Sequence, residues 1–158
     1  MLSKMDLTIA PISRYSLTWL TSADFFKLYA QLTECTQLEE SKFEEWFNEL
    51  IHNPLFVLFG VTKRNEDVPH VTLVGTACLY IQPRYYRDGA KSAIVEDIVI
   101  DEQYRGRGVG SKLLSTILQY AHERKFYKVT LQCSDEKVHF YEQCGFKQVN
   151  ANMEVRWK

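Results

Sequence analysis

A mixed α/β (α+β) fold, with helices against a sheet in a single domain over residues 1–158, is what this sequence predicts. Three observations carry that expectation. Segments with the two-residue period of strands alternate with segments of helical period, and no linker, repeat or low-complexity tract separates them. A chain of 158 residues is the size of one core and can bury roughly two thirds of its unfolded surface. Its 46% hydrophobic and 25% charged residues are ordinary for a folded globular chain.

The elements follow in order. Leu7 to Ile12 alternates apolar and polar residues as a half-buried strand does, with Pro11 marking an edge. Thr21 is a helix cap for Phe25, Phe26, Leu28, Tyr29 and Leu32 at helical spacing, and Asp24 favours the first turn. A second helix runs from Glu40 through Phe43, Trp46, Phe47, Leu50 and Ile51 until Asn53-Pro54 stops it. Leu55 to Thr62 and Val71 to Ile81 are β-branched and aromatic, and the polar stretch between them makes an antiparallel hairpin. After a turn at Asp88-Gly89 comes a strand, Ala93 to Ile100, and then a long amphipathic helix opened by Gly108 and marked by Val109, Leu113, Leu114, Ile117, Leu118 and Ala121. Tyr127 to Cys133 is the next strand. Ser134 or Asp135 caps a short helix ended by Gly145, and Phe146 to Trp157 is expected as a closing strand or strand pair.

Composition removes several functional classes. With 19 basic and 20 acidic side chains the net charge is −1, so nothing global draws the chain to nucleic acid or to an anionic membrane, and an anionic ligand needs a local cluster. No apolar run is long enough to insert in a bilayer. Cys35, Cys78, Cys133 and Cys144 lack zinc-site spacing, and no His, Cys and Asp set has metal-ligand spacing. They read as reduced thiols among apolar neighbours in a cytoplasmic protein, without a metal. His52, His70, His122 and His139 are given no chemistry.

The informative segment is Asp101-Glu102-Gln103-Tyr104-Arg105-Gly106-Arg107-Gly108-Val109-Gly110, between a strand and a helix. Glycines there permit backbone conformations closed to other residues, so successive N–H groups can converge on an anion. The helix start adds unpaired donors and its positive dipole end, with Arg105 and Arg107 near a diphosphate. A Walker loop fails because Lys112 follows Ser111 in the wrong order, and a dinucleotide fingerprint fails because several antiparallel strands precede the loop.

Arg105-x-x-Gly108-x-Gly110 is similar to the R/Q-x-x-G-x-G/A signature of the GNAT acyltransferase superfamily. Val95-Glu96-Asp97-Ile98-Val99-Ile100, Tyr127-Lys128-Val129-Thr130-Leu131, Phe140-Tyr141-Glu142-Gln143-Cys144-Gly145-Phe146, Met153-Glu154-Val155-Arg156 and Gln31-Leu32-Thr33-Glu34 resemble segments of the glucosamine-6-phosphate N-acetyltransferases. The resemblance implies a mostly antiparallel mixed sheet flanked by helices and acetyl-CoA as the acetyl donor. It implies direct attack by the 2-amino group of glucosamine 6-phosphate, through a tetrahedral intermediate, in UDP-N-acetylglucosamine biosynthesis. Ile98, Val99, Ile100, Arg105, Gly106, Arg107, Gly108, Val109, Gly110, Lys137 and Tyr141 would then hold the donor. Tyr141, Glu96 and Asp97 would serve catalysis, Tyr141 beside the departing sulfur. Thr33, Arg84, Glu96, Asp97, Tyr127, Lys128, Gln132 and Arg156 would bind the amino sugar phosphate. The resemblance also implies a homodimer whose C-terminal strand completes the shared site.

Three places depart from the family pattern. Gln132 stands where an acidic residue is common and cannot take a proton, Lys137 replaces an asparagine, and the segment from Gln82 to Arg87 differs. Two other readings therefore stand: a GNAT enzyme that acetylates another small amine or a protein N-terminus, and a non-catalytic acetyl-CoA-binding module.

Overall fold

The computed structural model describes residues 6–13, 16, 18–64, 71–149 and 153–155. Five strands, β1 (Leu7–Pro11), β2 (Phe56–Arg64), β3 (Val71–Pro83), β4 (Lys91–Ile100) and β5 (Lys128–Leu131), form one sheet in the order β1-β2-β3-β4-β5. The first four pair antiparallel, and β4 pairs with β5 in parallel. A parallel neighbour requires the chain to cross back over the sheet, which helix α3 (Val109–Glu123) does. The glycine-rich segment is thereby held at the carboxyl end of β4, where the crossover begins.

Each face of the sheet has its own core. Helices α1 (Ser22–Tyr29) and α2 (Glu40–His52) cover one face, setting Phe25, Leu28, Phe43 and Phe47 against Phe56, Leu58, Cys78 and Val99. On the other, α3 and the short helix α4 (Val138–Gln143) bring Leu113, Leu114, Ile117 and Tyr141 onto Phe59, Val61, Leu79 and Val95. Leu58 and Phe59, adjacent in β2, go to opposite cores, as the two-residue strand period requires. Each fully buried side chain of this size stabilises the fold by roughly 1.5–3 kcal/mol.

The element boundaries have local causes. The Thr21 hydroxyl accepts the Asp24 N–H at 3.2 Å and caps α1. That helix stops at Tyr29, so the exposed Leu32 is not a core residue as its spacing suggested. The N–H of Asn53 still reaches the Leu50 carbonyl, and Pro54 ends α2 there. Before α4, a 3₁₀ turn at Asp135–Lys137 follows Ser134, whose carbonyl accepts the Lys137 N–H while its side chain makes no capping bond. Cys35 is exposed rather than set among apolar neighbours, while Cys78 is buried.

One expected element differs. Residues 146–149 and 153–155 carry no strand. The N–H groups of Cys144, Gly145 and Phe146 turn back to the carbonyls of Tyr141, Glu142 and Tyr141, which closes α4 instead of extending the chain along β5. Arg156 lies outside the described residues. No helix among the described residues is long and apolar enough to cross a membrane.

Candidate active site

The two halves of β4 part company at Val95. Parallel pairing with β5 runs from Ser92 opposite Lys128 to Val95 opposite Leu131 and goes no further, because β5 ends there. On the other edge the register passes from Thr76 opposite Val99 to Cys78 opposite Glu96, so Ala77 faces both Asp97 and Ile98. This is a β-bulge. Its extra residue is Asp97, at φ +51°, a left-handed conformation that aspartate tolerates better than most side chains. The bulge explains a puzzle of the sequence: Glu96 and Asp97 are both exposed because the alternation breaks between them.

Backbone parity decides which β4 groups look into the splay. The Asp101 N–H donates to Val74 of β3 at 2.9 Å, so Val99, two residues earlier, also turns its backbone toward β3, and Ile100 turns its own to the edge β5 has left. Arg105 Nε donates to the Ile100 carbonyl at 2.8 Å on that edge. Val99, expected with the donor-binding residues, has its side chain buried against the α1/α2 face. Ile98 and Ile100 pack instead on the α3/α4 face.

The glycine-rich segment closes one end of the splay. Gly106 and Gly108 have φ of +69° and +75°, and a Cβ at either would meet nothing within 4 Å, so backbone conformation rather than crowding calls for glycine. Gly108 starts α3, and its carbonyl accepts the Lys112 N–H at 3.0 Å; the N–H groups before Lys112 stand ahead of the first helical bond. Gly110 is different. A Cβ there would stand 3.5 Å from Phe140, which places α4 against the first turn of α3.

Arg105 and Arg107 are both exposed, and Arg105 is nonetheless held in place. Its guanidinium is held by the Ile100 carbonyl and, through Nη2, by Gln31 Oε1 at 3.2 Å. Gln31 also accepts the Glu102 N–H at 2.9 Å and donates from Nε2 to Asp101 Oδ2 at 3.0 Å, while Asp101 Oδ1 accepts the Gln103 N–H at 3.0 Å.

Tyr141 projects from α4 into the α3/α4 core, near Phe140 and Phe146 at ring-centroid distances of 5.1 and 6.1 Å. Burial pushes its phenol above the ordinary tyrosine value, with Cys133 and Cys144 adding to the effect, so it keeps its proton at neutral pH. Gln132 and Lys137 are exposed on the connection from β5 to α4.

On the α1/α2 face, Glu96 stands opposite Cys78, whose thiol lies 3.6 Å from the Tyr29 hydroxyl. Burial pushes Cys78 up to about 12, and burial followed by Cys78, Asp97 and Glu96 pushes Tyr80 up to about 12. Both carboxylates thus share a neighbourhood with protonated, uncharged donors. Thr76 Oγ1 is buried there beside the Tyr29 phenol.

At the amino end of β4, Arg84 Nε donates to Ser92 Oγ at 3.0 Å and its Nη2 donates to Gln82 Oε1. Arg87 lies 4.7 Å and Lys128 Nζ 5.7 Å from the Tyr127 ring centroid. Slight burial pushes the Tyr127 phenol up, but a hydrogen bond from Tyr86 and the charges of Lys128 and Arg84 outweigh it and hold the phenol below its ordinary value. Arg84, Tyr127 and Lys128 are brought together, about four residues or roughly 13 Å along the strand from Glu96. Thr33 is apart from them, exposed beyond the end of α1, its N–H on the Tyr29 carbonyl.

A cavity of about 700 Å³ lies on the far side of β5, walled by Phe126, Val129, Leu131, Tyr141, Phe146 and Val149. It includes neither the carboxylates nor the glycine-rich segment. Sequence reasoning missed Gln31, Tyr29, Cys78 and Arg87 as parts of these clusters; only Gln31 and Arg87 lay inside segments that it singled out. Among the described residues no group of three or more His, Cys, Asp or Glu could hold a metal ion.

A strand that bulges and loses its neighbour beside a glycine-opened crossover helix is the frame of this region, and the sequence matches the acetyltransferase (GNAT) family over residues 16–146. The chain belongs to that family and is an acetyltransferase. It is similar to glucosamine 6-phosphate N-acetyltransferase 1 of Oryza sativa subsp. japonica, 31% identical over 132 residues that cover 84% of this chain and 78% of the rice protein. It is also similar to the glucosamine 6-phosphate N-acetyltransferase of Trypanosoma brucei brucei, 36% identical over 60% of this chain and 65% of that one. Among solved structures, the glucosamine-6-phosphate N-acetyltransferase of Arabidopsis thaliana superposes with a TM-score of 0.81 at 24% identity, over 96% of this chain and 99% of that chain, a likeness of fold.

Proposed function

We propose that this chain transfers acetyl from acetyl-CoA to the 2-amino group of glucosamine 6-phosphate, giving N-acetylglucosamine 6-phosphate and free CoA for UDP-N-acetylglucosamine synthesis. The observation that carries this reading is the bulge at Asp97, which sets two carboxylates at the mouth of the splay between β4 and β5. The names of the rice and trypanosome relatives supply the acceptor.

In this reading the donor diphosphate rests on the backbone of Arg105, Gly106, Arg107, Gly108, Val109 and Gly110, and Lys137 reaches a further phosphate of CoA. Its pantetheine arm runs along the splayed edge at Ile98 and Ile100. Edge N–H groups there hold the oxygen that gains charge as the amine adds to the thioester carbon, a contribution on the order of 2.7–4 kcal/mol per donor. The C–N bond forms, the C–S bond breaks, and the protonated Tyr141 gives its proton to the departing thiolate. The amine proton leaves to Asp97 or Glu96, directly or through water, since Gln132 cannot accept it.

Arg84, Tyr127 and Lys128 take the sugar phosphate, with Thr33 and Gln132 at the sugar. The enzyme is a cytoplasmic homodimer in which the C-terminal segment, through Arg156, completes the neighbouring site.

Release of CoA thiol measured across amino sugars, polyamines and peptides tests the assignment. Turnover with glucosamine 6-phosphate well above the other amines is expected. Turnover only with polyamines or peptides would replace the acceptor, and donor binding without thiol release would replace the enzyme with a binding module. Light scattering at twice the chain mass is expected for the dimer.

A further inference from the structure

We infer that Gln31, on the turn that follows α1, is a positioning residue that fixes the donor-binding segment, and that the Arg105 side chain belongs to this frame, while only the Arg105 backbone meets the donor. The inference rests on reading residues 105–110 as the donor site.

One side-chain amide ties three points of the segment. Gln31 Oε1 accepts the Glu102 N–H at 2.9 Å and Arg105 Nη2 at 3.2 Å, and Nε2 donates to Asp101 Oδ2 at 3.0 Å. Asp101 Oδ1 in turn holds the Gln103 N–H, and Arg105 Nε holds the end of β4 at Ile100. The backbone agrees: the Gln31 N–H bonds Leu28, so the amide projects from a turn that is itself fixed. Every atom of the Gln31 amide therefore has a partner matched in polarity. A guanidinium clamped on a strand carbonyl and an amide oxygen sets the angle at which the chain enters Gly106, and the two left-handed glycines then present their N–H groups.

The same turn follows directly on Tyr29, whose hydroxyl meets Cys78 beneath the carboxylates. Among the described residues the bonds of the Gln31 side chain nevertheless go to the donor segment alone, so its loss should be felt in donor binding and not in acceptor binding.

Polarity makes the inference testable by exchange. Gln31→Glu keeps the acceptor facing Glu102 and Arg105 but sets a second carboxylate against Asp101 Oδ2. Asp101→Asn sets two NH₂ groups together, unless the Gln31 amide turns and fails Glu102 and Arg105 instead. Combined, the exchange restores every donor to an acceptor: the asparagine NH₂ donates to the new carboxylate, its Oδ1 still accepts Gln103, and the charge equals that of the natural pair.

The experiment measures the dissociation constant of CoA by calorimetry and the Michaelis constants of acetyl-CoA and glucosamine 6-phosphate. For each single variant the CoA constant should weaken about tenfold, as expected where a charge-assisted hydrogen bond is lost. The acceptor constant should stay within about twofold, and the double variant should recover to within about threefold of the natural protein. If Gln31→Glu does not fold, Gln31→Ala, which brings no second carboxylate, carries the same prediction. Unchanged CoA binding in the folded single variants overturns the inference, as does equal weakening for donor and acceptor, or a double variant no better than the singles. Absence of CoA binding in the natural protein would instead remove the donor-site reading beneath it.

Discussion

The two halves of β4 obey different rules. Residues 92–95 are paired on both edges, and Ser92, Ala93 and Val95 are buried, so this half is an ordinary inner strand whose worth is packing. Residues 96–100 lose β5, bulge at Asp97 and expose two carboxylates in succession. Regularity on one side of Val95 is what makes irregularity on the other affordable. The first half anchors the strand, and the second leaves backbone edge and carboxylates to a ligand.

The largest expected effect lies across the splay from the irregular half. Tyr141→Phe keeps the packing against Phe140 and Phe146 and removes the proton donor, so kcat should fall on the order of 100-fold or more, the scale of a general acid. Because its phenol sits above the ordinary value of 10.0, no alkaline loss of kcat should come from it until pH exceeds that value. Stopped-flow release of CoA thiol reads both. A variant within about threefold of the natural rate would assign the aromatic to the core alone.

Asp97→Asn comes next and tests the contrast within the strand. Asparagine accepts a positive φ about as readily as aspartate, so the bulge should survive while the carboxylate is lost, with turnover down roughly 30- to 100-fold and little change in melting temperature. Val95→Ala should do the reverse: about 1–3 kcal/mol less stable in urea melts, with kcat within about twofold. If the two variants shift stability and turnover alike, the division of β4 has no energetic content.

A smaller effect belongs to Gly108→Ala. At φ +75° the added Cβ meets no atom, so the cost is conformational, about 1–2 kcal/mol, and it falls at the start of α3. The Michaelis constant for acetyl-CoA should rise about tenfold while that of the acceptor holds, on the scale of one lost charge-assisted contact. Arg84→Ala should give the mirror result, an acceptor constant raised several-fold with the donor constant unmoved. Initial-rate kinetics in both substrates separate the two.

Much of this frame was legible before any coordinates. The apolar period of α3 and the spacing of Gly106, Gly108 and Gly110 marked the crossover helix and the turn that opens it because those requirements are local: a helix face and a backbone angle. What stayed hidden depends on partners distant in sequence. The residue at which β4 bulges depends on its register against β3, and the bracing of Asp101 by Gln31 joins residues 70 positions apart. The hold of Arg105 on Ile100 and Gln31 was hidden too, because a signature gives residue types and not where a guanidinium turns. Phe146 to Trp157 has strand composition, but pairing needs a neighbour, and the described residues turn back on α4 instead.

The smallest effect concerns what lies beneath the carboxylates. The Cys78 thiol has an ordinary value of 9.0 in an open chain and about 12 in the fold, chiefly through burial. Between those values the unfolded chain binds fewer protons than the native one, so the contribution is whole below 9.0 and is lost as pH climbs toward about 12. Stability should therefore fall with rising pH in urea titrations from about pH 8 to about pH 10, most of the fall coming after the unfolded thiol ionises. Cys78→Ala should be less stable at the lower pH and show a shallower slope, with Tyr29, Tyr80 and Tyr141, also raised by burial, accounting for what remains above 10.0. Parallel curves for the two proteins would mean that the thiol is hydrated in solution, and that the protonated floor beneath Asp97 is not there.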